Sequence, residues 1–310
     1  MCGLAGVLCT KEFKGLASLV ESLLYEAASR GTDATGIAYN TRNALTIYKK
    51  PVSAYKFDVE LPTDTRTVIG HTRHTTQGNQ SLNYNNHPFY GRCGNTRFAF
   101  AHNGVLVNDK ALKKELLKTK IETDSYMAVQ LLEQSDKLNF DSISQMAEKV
   151  RGSFSFSILD DKNNLYLVKG DSPLSVLYFK RYGVYVYAST DEILWKGIVD
   201  SVLFAELKNN RYEKVKLSEG DILKIFSNGE LEYGHFKFTD DFAYGCDWRS
   251  YSSTGWDYSL YDDVYDNAYY DDLLSVASGM GISSADIDEL LAYGLTYDEI
   301  EDYLYCKEEV

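Results

Sequence analysis

The chain opens with Met1-Cys2-Gly3-Leu4-Ala5-Gly6-Val7, a run of small and apolar residues with a cysteine at its second position. Cysteine is small enough for the initiator methionine to be removed, which would place the Cys2 thiol beside its own free α-amine. An α-amine titrates at about pH 7.7–8.0, so part of it accepts a proton at neutral pH. The stretch predicts a nucleophile and a general base on one residue, held by a buried strand from Gly3 to Cys9. A chance cysteine at position 2 is the alternative.

The composition predicts a globular protein in a reducing compartment. The 310 residues are enough for one large domain or two smaller ones, and 44% of them are hydrophobic. No apolar run approaches the roughly 18 residues of a membrane span, and no signal peptide opens the chain. The five cysteines are scattered and odd in number, which favours free thiols over a disulfide framework. We therefore expect a cytoplasmic protein that does not bind a membrane.

Negative charge is concentrated at the C-terminal end. Residues 239–310 hold 18 acidic and two basic residues, so this segment carries a formal charge of −16. The preceding body holds 30 basic and 27 acidic residues and is nearly neutral at +3. Neither part has the basic surface that nucleic-acid binding requires, so no nucleic-acid partner is predicted.

Polar residues crowd the end of a predicted strand at Val68–Thr72. The sequence continues as Arg73-His74-Thr75-Thr76-Gln77-Gly78, without apolar periodicity. Binding and catalytic sites are often built from such polar segments beside a rigid strand. The planar guanidinium of Arg73 suits a substrate carboxylate, although a structural carboxylate would pair with it equally well.

A second buried strand, Phe98–Ala101, runs into His102-Asn103-Gly104. The side-chain amide of Asn103 and the backbone N–H of Gly104 are two donors that would converge on one developing negative oxygen, as in an oxyanion hole. Asn-Gly is also the commonest pair of residues in a tight β-hairpin turn, so a turn is the alternative.

A helical pattern begins at Glu122-Thr123-Asp124-Ser125. Thr123 is predicted to cap this helix, and Asp124 would fall in its first turn, where negative charge is favoured. That structural role accounts for Asp124 fully, and it leaves the carboxylate equally able to bind an ammonium group.

Short alternating strands follow from Gly152 to Phe238, interrupted at Ser189-Thr190-Asp191-Glu192, which is predicted to be a capping box that opens a short helix. Another amphipathic helix is predicted at residues 13–28. The order of these elements predicts two sheets packed face to face with helices outside them.

Taken together, these segments resemble class II glutamine amidotransferases, which are N-terminal-nucleophile (Ntn) hydrolases. The segments that carry the resemblance follow Cys2 in order: Arg30-Gly31-Thr32-Asp33, Gly70-His71-Thr72-Arg73 with Gly78, Asn86-His87-Pro88, His102-Asn103-Gly104, Glu122-Thr123-Asp124, Gly152-Ser153, Ser172-Pro173-Leu174 and Ala188-Ser189. The resemblance implies an α+β fold, the four-layer αββα Ntn-hydrolase sandwich, in an amidotransferase domain at residues 2–238.

The resemblance also implies a role for each matching residue. Cys2 would attack the side-chain amide of glutamine with its own α-amine as the base, and Asn103 and Gly104 would stabilise the oxyanion. Arg73 would bind the α-carboxylate of glutamine, and Asp124 would bind its α-ammonium group. The products would be glutamate and ammonia, formed through a thioester without a metal or a cofactor.

Thr76 falls in the loop that binds substrate in this family, and the sequence departs from the family there. Relatives often have Trp-Ala-Thr-His where this chain has His74-Thr75-Thr76-Gln77. The segment helps to close the family's site over glutamine, so the change bears on loop closure and substrate choice.

Residues after 235 contain no phosphate-binding loop or nucleotide fingerprint, so the ammonia acceptor is expected to be a separate synthase or ligase. Residues 239–270 are predicted to be an acidic, Tyr-rich linker. Residues 271–310 are predicted to be a small helical tail, because residues 282–291 recur in pattern as residues 295–304, loosely similar to ubiquitin-associated-type bundles. This acidic extension is either a solubilising tail or an adaptor that recruits a basic partner, such as the acceptor enzyme.

Three functions remain open at this stage. The chain is a glutamine hydrolase that supplies ammonia, an Ntn-type amidase or peptide hydrolase acting on another amide, or a catalytically silent binding module. Histidines are numerous at positions 71, 74, 87 and 102, but their spacing matches no standard zinc pattern, so no metal site is predicted.

Overall fold

A computed structural model describes residues 2–41, 44–238, 283–285, 287 and 300. The chain divides into two compact units, Met1–Ala243 and Tyr244–Val310. The predicted linker at 239–270 and nearly all of the predicted helical tail at 271–310 lie outside the described residues, so both remain predictions. The first unit contains every element that the amidotransferase resemblance covers.

The first strand is buried on both faces, which explains why its sequence is a continuous apolar run. Leu4 and Leu8 point into the layer between the two sheets, whereas Ala5, Val7 and Cys9 point toward the helices outside. Successive side chains of a strand alternate between its faces, so a strand covered on both sides needs no polar positions. The predicted strand from Gly3 to Cys9 is confirmed at those bounds.

Two antiparallel sheets form from the strands of the described residues. The strands are β1 Gly3–Cys9, β2 Ala34–Asn40, β3 Leu45–Lys50, β4 Thr67–Arg73, β5 Phe89–Cys93, β6 Thr96–Leu106, β7 Gly152–Asp160, β8 Leu165–Lys169, β9 Ser175–Phe179, β10 Val184–Ala188, β11 Glu213–Lys214, β12 Asp221–Ile225 and β13 Leu231–His235. One sheet has the order β11-β9-β10-β1-β4-β2-β3, and the other has the order β13-β12-β8-β7-β6-β5.

Helices cover the outer face of each sheet. They are α1 Leu16–Ala27, α2 Asp109–Glu115, α3 Tyr126–Glu133, α4 Phe140–Lys149, α5 Asp191–Ile198 and α6 Phe204–Lys208, with 3₁₀ turns at Ala28–Arg30, Ala54–Lys56 and Asn83–Asn85. Side chains of α1 and α5 pack on the seven-stranded sheet, and those of α3 and α4 pack on the six-stranded sheet. A third apolar cluster lies between the sheets. The predicted α+β sandwich with four αββα layers is confirmed.

Two predicted helix caps are wrong. The helix predicted to be capped by Thr123 begins at Tyr126, after Ser125, and the Thr123 hydroxyl has no hydrogen-bond partner among the described residues. At the second helix the capping residue is Thr190, whose hydroxyl accepts a hydrogen bond from the Ile193 N–H. Ser189 is not available as the cap, since its hydroxyl accepts a hydrogen bond from the Leu4 N–H of β1 at 2.8 Å.

The helices of the described ranges include none that is long and apolar enough to cross a membrane.

Candidate active site

Cys2 lies directly before β1, and its side chain is buried, with 9% of its surface exposed. The thiol donates a hydrogen bond to the carbonyl oxygen of His74 at 3.4 Å. The Nε of Arg30 donates to the carbonyl oxygen of Cys2 itself at 2.9 Å. The segment after α1 therefore holds the backbone of Cys2 through Arg30, and the loop after β4 holds its sulfur through the His74 carbonyl.

Burial raises the pKa of the Cys2 thiol, because the charged thiolate is poorly solvated there. Among nearby charged side chains, Asp124 raises this pKa and Arg73 lowers it. The structure thus places Cys2, Arg73 and Asp124 near enough to one another for their charges to interact. A thiol that stays protonated needs a base when it attacks.

Asn103 lies inside β6 and not in a turn, so the alternative of a hairpin at Asn103-Gly104 is wrong. In the sheet it stands opposite Ser155 of β7, and the hairpin before β6 is made earlier, between Cys93 and Thr96. The side chain of Asn103 is completely buried. Neither its amide nitrogen nor its amide oxygen has a hydrogen-bond partner among the residues that the structure describes.

The orientation of Asn103 follows from strand alternation. Ala99 and Ala101, four and two residues earlier, belong to the cluster between the sheets, so Asn103 faces the same interface. Across that interface β6 packs against β1 and β4, which carry Cys2 and Arg73 at their ends. An unpaired buried amide costs about 1–3 kcal/mol, which a ligand that uses the amide would recover.

Gly104 occupies a position where only glycine fits. Its φ of 135° is a conformation that L side chains rarely adopt. A Cβ atom built on it would also collide with the carbonyl oxygen of Ser153 on β7. The glycine therefore lets β6 and β7 stay close while the chain turns its backbone after Asn103.

Arg73 is the last residue of β4 and is almost fully buried. Its guanidinium donates to the Asn86 side-chain oxygen and to the carbonyl oxygens of Gln77 and Gly78. The alternative that Arg73 pairs with a structural carboxylate is wrong for the described part of the chain, where none lies within ion-pair distance of it. Desolvation lowers the Arg73 pKa, and the nearby Asp33 and Asp124 raise it.

Asp124 lies in the turn before α3 and is buried. One carboxylate oxygen accepts a hydrogen bond from the Leu106 N–H at the end of β6, at 2.6 Å. The other lies 3.4 Å from the hydroxyl of Ser125, which donates to it. Asp124 is therefore tied to the strand that carries Asn103 and Gly104, and its other lone pairs remain available for an ammonium group.

The loop after Arg73 lies over Cys2 and carries Thr76, whose side chain is exposed. The Asp33 carboxylate accepts a hydrogen bond from the Thr75 N–H at 2.7 Å. The Gln77 side chain donates to the Asp109 carboxylate at 3.0 Å. The departure at position 77 therefore has a definite partner, which no sequence pattern indicated.

Three buried histidines lie beside the site. The centroids of the His71 and His87 rings lie 4.2 Å apart with the rings tilted by 30°, and those of His87 and His102 lie 6.5 Å apart. Burial lowers the pKa of all three, that of His71 to about 3. Over the described ranges, no group of three or more His, Cys, Asp or Glu side chains is arranged to hold a metal ion.

Sequence reasoning missed several residues that hold the site together. Arg30 and Asp33 were part of a matching segment without a role of their own, and the structure connects them to Cys2 and to the loop at Thr75. Asn86 was likewise unassigned, yet it contacts Arg73. The sequence segments pointed to these residues, but the contacts are made between parts of the chain that are far apart in sequence.

Comparison with known proteins bears on the same part of the chain. Residues 71–196 match the family described as "Glutamine amidotransferase domain". The isomerizing glutamine–fructose-6-phosphate aminotransferase of Listeria innocua is 34% identical over 186 residues, which are 57% of this chain and 30% of that protein. The 7-cyano-7-deazaguanine synthase of Sulfolobus acidocaldarius is 28% identical over 215 residues, 65% of this chain and 46% of that protein. The chain thus spans less than half the length of either relative.

Solved structures share the fold. The glutamine phosphoribosylpyrophosphate amidotransferase of B. subtilis superposes with a TM-score of 0.61 at 21% identity, over 77% of this chain and 50% of that one. A structure described as the allosteric regulatory enzyme of purine biosynthesis superposes with a TM-score of 0.60 at 20% identity, with the same coverage. At this identity the likeness establishes the shared architecture alone.

Proposed function

We propose that the chain carries a class II, Ntn-type glutamine amidotransferase domain and that it hydrolyses the side-chain amide of glutamine to glutamate and ammonia, which the family match, the curated relatives and the shared fold support. The observation that carries this proposal is Asn103, a buried amide with no partner among the described residues, on the strand that faces Cys2 and Arg73. Asn103 supplies a donor at the place where a tetrahedral oxyanion would form.

The reaction starts once Met1 has been removed. The α-amine of Cys2 takes the thiol proton while the sulfur attacks the amide carbon, and the carbonyl oxygen becomes an oxyanion. The Asn103 side-chain N–H and the Gly104 backbone N–H stabilise this oxyanion. When the tetrahedral species collapses, the C–N bond breaks and the α-amine returns the proton to the leaving nitrogen. Ammonia leaves, and a thioester joins Cys2 to the substrate.

Hydrolysis of the thioester completes the cycle. The same α-amine deprotonates a water molecule that attacks the thioester carbon, the C–S bond breaks, and the sulfur regains its proton as glutamate leaves. The raised pKa of the Cys2 thiol supports a base-assisted attack, because the thiol is not ionised in advance. We assign Arg73 to the α-carboxylate, Asp124 to the α-ammonium group and Thr76 to the loop that covers the substrate.

The decisive test is the loss of hydrolysis in Cys2→Ala. We expect this variant to release no ammonia from glutamine above background, because it lacks the nucleophile, whereas Cys9→Ala keeps its activity as a matched control. Mass spectrometry of the intact protein should show that Met1 is absent. The glutamine-like electrophile 6-diazo-5-oxo-L-norleucine should alkylate Cys2 in the wild-type protein. Wild-type activity in Cys2→Ala, or full activity with Met1 retained, contradicts the mechanism.

A panel of amides distinguishes this function from that of a general amidase or a silent binding module. Glutamine should be hydrolysed faster than asparagine, primary amides of peptides and glutamine esterified at its α-carboxylate. Faster turnover of another amide would favour the amidase, and failure to alkylate Cys2 would favour the silent module.

We further propose that the ammonia passes to a separate acceptor enzyme in the cytoplasm, and that residues 2–238 perform the hydrolysis. The charge of −16 on residues 239–310 suits recruitment of a basic partner. Co-purification with the full-length chain, followed by mass spectrometry, identifies such a partner. Capture of no ammonia-using enzyme would contradict this part of the proposal.

A further inference from the structure

Lys49 makes unusual contacts for a lysine on an edge strand. It lies on β3, the outermost strand of the seven-stranded sheet, where a lysine would ordinarily extend its ammonium group into water. Instead its Nζ donates to the carbonyl oxygens of Asn86, at 2.5 Å, and Pro88, at 3.0 Å. The ammonium group also lies 5.0 Å from the centroid of the Phe89 ring. Lys49 therefore anchors the segment 86–89 onto the sheet.

Asn86 connects this anchor to Arg73. Its backbone oxygen accepts from Lys49, and its side-chain oxygen accepts from the Arg73 guanidinium. Its side-chain nitrogen donates to the carbonyl oxygen of Gln80 at 2.8 Å, so the amide has a defined orientation with its oxygen toward Arg73. Lys49 therefore holds the backbone of Asn86, and Gln80 orients its side chain. The Asn86 side-chain oxygen in turn holds the Arg73 guanidinium in position.

Neither Lys49 nor Arg73 has a carboxylate within ion-pair distance in the part of the chain that the structure describes, although Asp33 and Asp124 lie near enough to raise the Arg73 pKa. Burial, together with the smaller effect of the Arg73 charge, lowers the Lys49 pKa to about 8. Two partly buried positive charges repel one another, and a carboxylate bound between or beside them would offset that cost. His71 and His87 also face Lys49, but burial keeps both neutral at pH 7, so they add no positive charge.

Resting on the proposed hydrolysis of glutamine, we propose that Lys49 is a positioning residue for the α-carboxylate end of the substrate site. It holds Asn86, Asn86 orients Arg73, and the Lys49 charge reinforces the field that attracts the carboxylate. Lys49 does not touch the reacting amide, so its effect falls on substrate affinity and not on the chemical step.

The test compares Lys49→Met with Lys49→Arg and with Lys50→Met, an exposed lysine at the next position. We expect Lys49→Met to raise the KM for glutamine about 10-fold with little change in kcat, since a hydrogen bond to a charged group and part of the field are lost. Lys49→Arg keeps the charge and should recover most of the affinity. Lys50→Met should behave like the wild type, and equal melting temperatures would show that all variants fold.

Competitive inhibitors separate positioning from a general structural effect. The inhibition constant of L-glutamate, which has the α-carboxylate, should rise about 10-fold in Lys49→Met. That of 4-aminobutanamide, which is glutamine without this carboxylate, should change less than about twofold, because the interaction at issue is absent. Equal changes for both ligands, an unchanged KM, or a loss confined to kcat overturns the proposal for Lys49. A wild-type protein that does not hydrolyse glutamine overturns the proposed function as well.

Discussion

Strand β6, which carries Asn103 and Gly104, and the loop at residues 74–79 are held by different kinds of hydrogen bond. Asn103 and Gly104 lie inside β6, which pairs with β7 along its length, so their backbone is set by a continuous ladder. The loop at residues 74–79 is tied by separate side-chain bonds, among them Asp33 to the Thr75 N–H and Gln77 to Asp109. If one backbone hydrogen bond between β6 and β7 is lost, the neighbouring ones still hold the strand. If one side-chain hydrogen bond to the loop is lost, part of the loop is released.

This difference assigns separate tasks to the two regions. Under the proposed mechanism, the sheet would position the donors that stabilise the transition state, so changes there should lower kcat. The loop would cover and retain the substrate, so changes there should raise KM. The predictions that follow test this division, in order of expected effect.

The largest effect is expected from Asn103→Ala. Removal of one oxyanion donor should lower kcat by about 10²–10³-fold with little change in KM, because the amide acts on the transition state. Steady-state ammonia release measures both constants. Val105→Ala, an exposed position on the same strand, is the matched control and should retain wild-type kinetics. A similar loss in that variant would show that β6 had been disrupted as a whole.

An intermediate effect is expected when the pH is lowered, because the buried histidines beside the site make the free energy of unfolding depend on pH. The His71 pKa is lowered to about 3 by burial, against about 6.5 when unfolded, so the folded state binds fewer protons. Stability is therefore complete above about pH 6.5 and falls as the pH drops toward 3. Urea unfolding of the wild type should lose about 2 kcal/mol more than His71→Gln between pH 6.5 and 5.0.

The exposed His74 provides the control for this measurement. His74→Gln should lose stability with acid as the wild type does. If His71→Gln and the wild type show the same acid slope, the buried ring does not control the response.

The smallest effect is expected from Gln77→Ala, which breaks the bond between the loop and Asp109. The KM for glutamine should rise about threefold to tenfold with kcat nearly unchanged, because a hydrogen bond to a partly buried carboxylate is lost from a loop and not from the sheet. Gln80→Ala is the control, since Gln80 is used through its backbone carbonyl. A loss confined to kcat would contradict the division of tasks between loop and sheet.

Much of the fold was predictable because its signals are local. The apolar run after Cys2 predicted β1 with its observed bounds, and helical periodicity predicted α1, which begins at Leu16 because Gly15 has a φ of 89°. The predicted cap at Ser189 was wrong because its hydroxyl accepts a hydrogen bond from the Leu4 N–H, which is distant in the sequence. The predicted cap at Thr123 was wrong because the helix begins later, at Tyr126.

The sequence predicted which residues belong to the candidate site, but not the contacts that hold those residues in position. Segment order behind Cys2 indicated Asn103, Gly104, Arg73 and Asp124 as site residues, and their assigned roles remain predictions. No pattern in the sequence indicated Lys49, because a lysine in a strand of mixed polarity is ordinary. Its contact with Asn86 joins residues 37 positions apart, and only the packing of the chain reveals it.

The sequence by itself determined the position of the candidate nucleophile, the order of the matching segments and the apolar patterns that make two sheets with helices outside, because these depend on residue type and spacing. The tertiary structure decided which way Asn103 points, what holds Arg73 and what ties the loop over Cys2. Those outcomes depend on strand register and on contacts between distant segments, and neither is encoded in a local pattern.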